Sequence, residues 1–108
     1  METNIPEHSP VRLSLRMVVY REGRYWFAHC LDMDIVAEGD SPATALADLL
    51  RLMAFQIEVA CEEAEFTGLF NFAPPEIWEL FSRAVDIVVP VPFPPMVQSL
   101  EAREVAVG

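Results

Sequence analysis

From Val11 onward apolar and polar residues alternate, with Val11, Leu13, Leu15, Met17 and Val19 set against Arg12, Ser14, Arg16, Val18 and Tyr20. A period of two gives a strand one apolar face and puts the two arginines on the other. Arg21-Glu22-Gly23-Arg24 predicts a turn in which Gly23 takes positive φ. Tyr25 to Cys30 resumes as an aromatic-rich strand, which completes a hairpin. After a short connection, Asp34 to Glu38 predicts a third strand with Ile35 and Val36 as its apolar centre. Ser41 suits a helix N-cap, Pro42 the first helical position, and Asp40 brings negative charge to the helix start. From Ala43 the spacing lengthens, and Leu46, Leu49, Leu50, Met53, Ile57 and Ala60 make one stripe destined for the sheet. Leu52, Phe55 and Val59 form a second apolar line, more than one sheet contact requires. This excess predicts a protein contact or cover by the C-terminal segment.

Residues 18 to 57 thus form a βββα unit that the rest of the chain extends or covers. Residues 66 to 75 hold three phenylalanines, which predicts a packed loop. Pro75 opens a short helix from Glu76 to Ala84, with Ile77, Leu80, Phe81 and Ala84 inward and Trp78 pointing elsewhere. Val85 to Val89 reads as a fourth strand, kept from a central place by Pro90, Pro92, Pro94 and Pro95. The tail from Met96 either adds an edge strand through Leu100 to Val107 or stays mobile. The expected fold is α+β, a small βββαβ domain with an antiparallel sheet and a helix on one face. Its divisions are a flexible leader over 1–10, the domain over 11–92 and a Pro-rich tail over 93–108.

At 108 residues the chain is one domain with a single modest core, and its 53% apolar content excludes a disordered chain. Net charge is −10, and all seven basic residues are arginines. Arg12, Arg16, Arg21 and Arg24 lie in the first thirty residues, whereas residues 32 to 65 carry nine acids and one arginine. So acidic a chain is ill suited to direct nucleic-acid binding, which needs several cations against phosphates. A basic protein partner fits the charge, although acidity also serves solubility. METNIPEHSP has neither a basic start nor an apolar run, and Ile87 to Val97 is broken by prolines. These features predict no signal peptide, no membrane span and a cytoplasmic location. Cys30 and Cys61 form no CxxC pair and are expected to be reduced thiols in or near the core.

One carboxylate cluster has catalytic promise. Asp34, Glu38 and Asp40 would share a strand face, with Asp32 nearby, as a metal-dependent nuclease requires. The simpler reading makes Asp40 part of a helix start and places Asp32 and Asp34 in a turn. His29 and Cys30 are adjacent on a strand and point to opposite faces, so His29 reads as structural and no nucleophilic pair forms. The hairpin arginines are expected in intramolecular ion pairs. No phosphate loop, GxSxG elbow or HExxH occurs, and no cofactor or metal is expected. Tyr25, Trp26 and Phe27 alternate across their strand, and Trp26 and Trp78 are the expected exposed anchors.

Several of these features occur together in a known order: Gly23 and Tyr25, Ala28 and Cys30, Asp34-Ile35-Val36, then Gly39-Asp40-Ser41 with Ala45 and Leu46. In this order the stretch from Tyr20 to Ile57 resembles the HicB-like antitoxin family. The family commonly has Glu-Ala after the corner, where this chain has Thr44-Ala45. The resemblance implies a three-stranded antiparallel sheet with helices on one face, likened to a partial RNase H fold. It also implies neutralisation, by direct contact, of a small basic RNA-cleaving toxin called HicA. Many members add a C-terminal DNA-binding domain, but here the segment after Glu76 lacks basic recognition residues. The resulting expectation is a non-enzymatic antitoxin, or a stand-alone relative, forming a homodimer or homotetramer. Its contact residues would be Trp26, Glu38, Asp40, Asp48, Phe55, Glu58, Glu62, Glu63 and Trp78. The alternatives are the nuclease and an oligomeric structural protein without a toxin partner.

Overall fold

A computed structural model describes residues 13–89 and 97–106. The expected leader and the four prolines between 90 and 95 lie outside the described residues. The first hairpin joins β1 (Leu13–Glu22) to β2 (Tyr25–Cys30). Gly23 turns it with φ +66°, where a side chain would be strained. β3 (Ile35–Gly39) follows and pairs with β2 in antiparallel register, Ala28 opposite Ala37. Helix α1 (Pro42–Glu63) begins as its sequence dictates, with Ser41 extended and its Oγ accepting from the Thr44 amide at 3.1 Å. Gly39 lets the helix start close to the strand, since a Cβ there would lie 2.7 Å from the Ala45 nitrogen. The helix ends at Ala64, in the left-handed region with φ 52°.

A single 3-10 turn (Thr67–Leu69) leads to helix α2 (Pro75–Ser82), then β4 (Val85–Ile87) and β5 (Val97–Glu104). The molecule is a small α+β protein with one five-stranded mixed sheet, in the order β3-β2-β1-β5-β4. Here the expected βββαβ, all-antiparallel arrangement is corrected. β5 is no edge strand: it runs parallel to β1 and antiparallel to β4, inside the sheet. Its weak alternation conceals two satisfied faces. Leu100 and Ala102 join the core, while Arg103 lies 4.2 Å over the Phe81 ring and donates to the Phe81 carbonyl at 2.9 Å. Arg103 also meets Glu101 at 2.9 Å and Asp86 at 3.3 Å, so its charge enters the sheet already compensated.

Cover comes from both faces rather than one. Leu13, Leu15, Met17 and Val19 of β1 pack with Ala28, Cys30 and Ala37 beneath the predicted α1 stripe of Leu46, Leu49, Leu50, Met53, Ile57 and Ala60. Each large aliphatic buried this way stabilises the fold by roughly 1.5–3 kcal/mol. Val18, one residue out of phase and therefore on the reverse face, packs with Leu31, Ala73 and Phe81. Ile77, Trp78, Leu80 and Ala84 join this second cluster, so α2 and its preceding loop cover the sheet opposite α1. Trp78 therefore faces the sheet with its helix, not elsewhere.

Candidate interaction surface

The half of the reverse face over β2 and β3 lies beyond the cluster that α2 builds on β1. At its border Tyr20 of β1, which packs against that cluster, stacks on Phe27, its partner on β2, with centroids 5.7 Å apart. Tyr25 is 44% exposed and Val36 47%. Among the described residues β3 pairs only with β2, which leaves its outer side open. Glu38 and Asp40 are exposed along the same margin, and neither has an ion pair among the described residues.

On the helix side of this margin, α1 presents the second apolar line read from the sequence. Leu52 is 43% exposed and Phe55 59%, with Val59 half-buried beside them. Ala37 of β3 and Asp48, Arg51 and Leu52 of α1 line a groove of about 270 Å³. It is open to solvent and slightly smaller than the roughly 300–1,000 Å³ of sites that enclose small molecules. Arg51 donates to Asp48, so this predicted acid is locally neutralised.

The remaining predicted contact residues do not share this surface. Trp26 lies on the α1 face, half-buried against the core, whereas Tyr25 and Phe27 face away. Trp78 is on the opposite face, edge-on to Phe72 at 6.0 Å and with Arg16 5.0 Å from its ring centre. The two tryptophans cannot anchor one contact. Glu58 and Glu62 are exposed near the end of α1. At about 1.5 Å per residue Glu58 is some 24 Å along the helix, past the roughly 16 Å length of β3. The acids thus form two groups, one at the β3 edge and one at the end of α1.

No family model, curated protein or solved structure matches this chain. Among the described residues no helix is long and apolar enough to cross a membrane.

The carboxylates expected to share a strand face do not gather. Asp32 is 3% exposed, and its two oxygens accept from the Arg16 amide and guanidinium, each at 2.7 Å. Asp34 precedes β3 in the left-handed region, φ 53°, and its carboxylate meets His29 Nε2 at 2.7 Å. Among the described residues no group of three or more His, Cys, Asp or Glu side chains is arranged to hold a metal. His29 is buried, and its Nδ1 has no hydrogen-bond partner among the described residues. Cys30 packs on the α1 side, where burial pushes its thiol up to about 11 and keeps it protonated at neutral pH. Cys61, expected in or near the core, is exposed instead. Sequence reasoning missed Val36 as a surface residue by reading it with Ile35 as a strand centre. The alternation that buries Ala37 and turns Val36 outward was the available signal.

Proposed function

We propose that this chain is a non-enzymatic protein-binding domain of the HicB-like antitoxin kind, acting by contact on a small basic RNA-cleaving protein. The observation that carries the reading is the open β3 edge, with exposed Val36 on one side and Leu52 on the other. Exposed apolar side chains gathered at an unpaired edge are an aggregation hazard unless a partner covers them. Carboxylates at that edge and at the end of α1 select a basic partner and speed its approach. Once seated, the domain blocks the partner's catalytic face and excludes RNA. Self-association belongs to the same reading and uses the other end of the sheet. There Val85 of β4 and Val88 just after it are 61% and 86% exposed, and Asp86 is engaged by Arg103.

The test is coexpression with the protein encoded in the adjacent reading frame. The expected result is a complex that weakens with salt, and suppression of that protein's RNA cleavage at stoichiometric amounts. Unchanged cleavage in the presence of excess chain, or a neighbour that is neither small nor basic, refutes the antitoxin reading. Sedimentation velocity should give two or four chains per particle, and a monomer refutes self-association.

A further inference from the structure

We propose that the outer side of β3 receives an extended segment of a basic partner as a sixth strand, with basic and apolar residues alternating along it. This rests on the protein-binding reading and specifies its geometry. The strand pairs with β2 alone among the described residues, so the backbone of Ile35–Gly39 offers one side to a newcomer. Successive side chains of an added strand fall on opposite faces. Those on the α1 side would enter the groove of Ala37, Asp48, Arg51 and Leu52, where the Asp48–Arg51 pair is already satisfied and an apolar residue fits against Ala37 and Leu52. Those on the reverse side would meet Val36 and Glu38, with Asp40 just beyond, where a cation fits with its aliphatic stem over Val36. The two faces of the edge thus ask for different residues at period two.

The same charges disfavour a second copy at this edge. A symmetric antiparallel pair of β3 strands must centre on one residue facing its own copy. Centred on Ala37 it opposes Asp34 to Asp40, centred on Val36 it opposes Asp34 to Glu38, and centred on Glu38 it opposes that residue to itself. Like charges directly opposite one another destabilise a strand pair. Each of these three registers meets this penalty, and a strand bearing arginine or lysine replaces it with attraction.

The probes are two synthetic hexapeptides, one alternating arginine with valine and one alternating glutamate with valine, titrated into the isotope-labelled full chain. The arginine peptide should shift the amides of Ile35–Gly39 and of residues 48–52 in α1. The double variant Glu38→Lys/Asp40→Lys should bind it about tenfold or more weakly and turn its preference to the glutamate peptide. Leu52→Glu provides a second variant that leaves the strand itself untouched, and it should also weaken the arginine peptide. Shifts confined to β4 or α2, or equal binding by the charge-reversed chain with wild-type circular dichroism, overturn the proposal. If the adjacent-frame protein still binds the charge-reversed chain as tightly as wild type, the edge assignment fails and the protein-binding reading stands. If neither that protein nor the arginine peptide binds the wild-type chain, both fail.

Discussion

Replacing Asp32 by alanine removes the polar tie between the central strand and the β2–β3 turn. The carboxylate is 3% exposed and accepts from the Arg16 amide and guanidinium at 2.7 Å each. Its own carbonyl accepts from the Asn71 amide at 3.0 Å, and the neighbouring Leu31 carbonyl accepts from Ala73 at 2.9 Å. The loop that carries α2 is therefore hung from the same turn. Alanine leaves the Arg16 main-chain N–H without its acceptor, at about 1–3 kcal/mol. The guanidinium, on a side chain 39% exposed, turns to water, so its lost ion pair adds no more than about 1 kcal/mol. The expected total is about 1–4 kcal/mol, a large share of the roughly 5–15 kcal/mol of a domain this size. Asparagine retains an acceptor for the amide and should cost about half as much. Urea unfolding followed by tryptophan fluorescence reads the loss as a lower midpoint at unchanged slope, with Trp78 under Arg16 as a local reporter. Equal losses for asparagine and alanine, or a loss below about 0.5 kcal/mol for alanine, would refute the assignment of the cost to the amide.

Gly39→Ala should cost about 1–3 kcal/mol by thermal melting, because its Cβ meets the Ala45 nitrogen at 2.7 Å and backbone cannot step aside cheaply. The last turn of α1 has no basic residue and carries Glu62 and Glu63, so changing both to glutamine should stabilise by about 0.3–1 kcal/mol each, an effect that disappears in high salt. A thiol reagent at neutral pH should label Cys61 in the native chain and both cysteines in denaturant. The raised Cys30 thiol means that the folded chain holds a proton the unfolded chain releases. Its contribution is complete below pH 9.0 and falls by about 2–3 kcal/mol as pH rises towards 11. Cys30→Ala should flatten that decline, with Tyr20→Phe as the control for the phenol that burial and Glu22 also raise.

The parts of the fold written in local chemistry were legible. Gly23 marked the hairpin, Ser41-Pro42 the helix start, and the stripe from Leu46 to Ala60 the buried face of α1. Those that depend on distant partners were not. β5 shows little apolar alternation because Arg103 spends its charge on Asp86, Glu101 and the Phe81 carbonyl, contacts made by folding and invisible in a window of sequence. The reverse face was hidden for the same reason, since Val18 looks like one more apolar residue until its phase sends it to α2. In the candidate surface, Leu52 and Phe55 were readable as surplus on an already filled helix. The exposure of Val36 depended on β3 standing last in the sheet.

The ion pairs decide where the net charge of −10 is felt. Arg16 is occupied by Asp32, Arg51 by Asp48, and Arg103 by Glu101 and Asp86. Each pair cancels locally. Of the described acids left without an ion pair, Glu38 and Asp40 lie at the β3 edge and Glu58, Glu62 and Glu63 at the end of α1, with others, Glu22, Glu76, Glu79 and Glu104 among them, elsewhere. At physiological salt a charge is felt over about 8 Å, too short a range for the helix-end acids to grip something lying on β3. Their effect is on approach, setting the rate and orientation of encounter, which rim charges govern. Glu38 and Asp40 flank the surface that a partner would bury, together with Val36 and Leu52, and so act on how long it stays. Neutralising Glu58 and Glu62 would then slow association, and altering Glu38 or Leu52 would hasten release. This division follows from α1 outreaching the strand it covers.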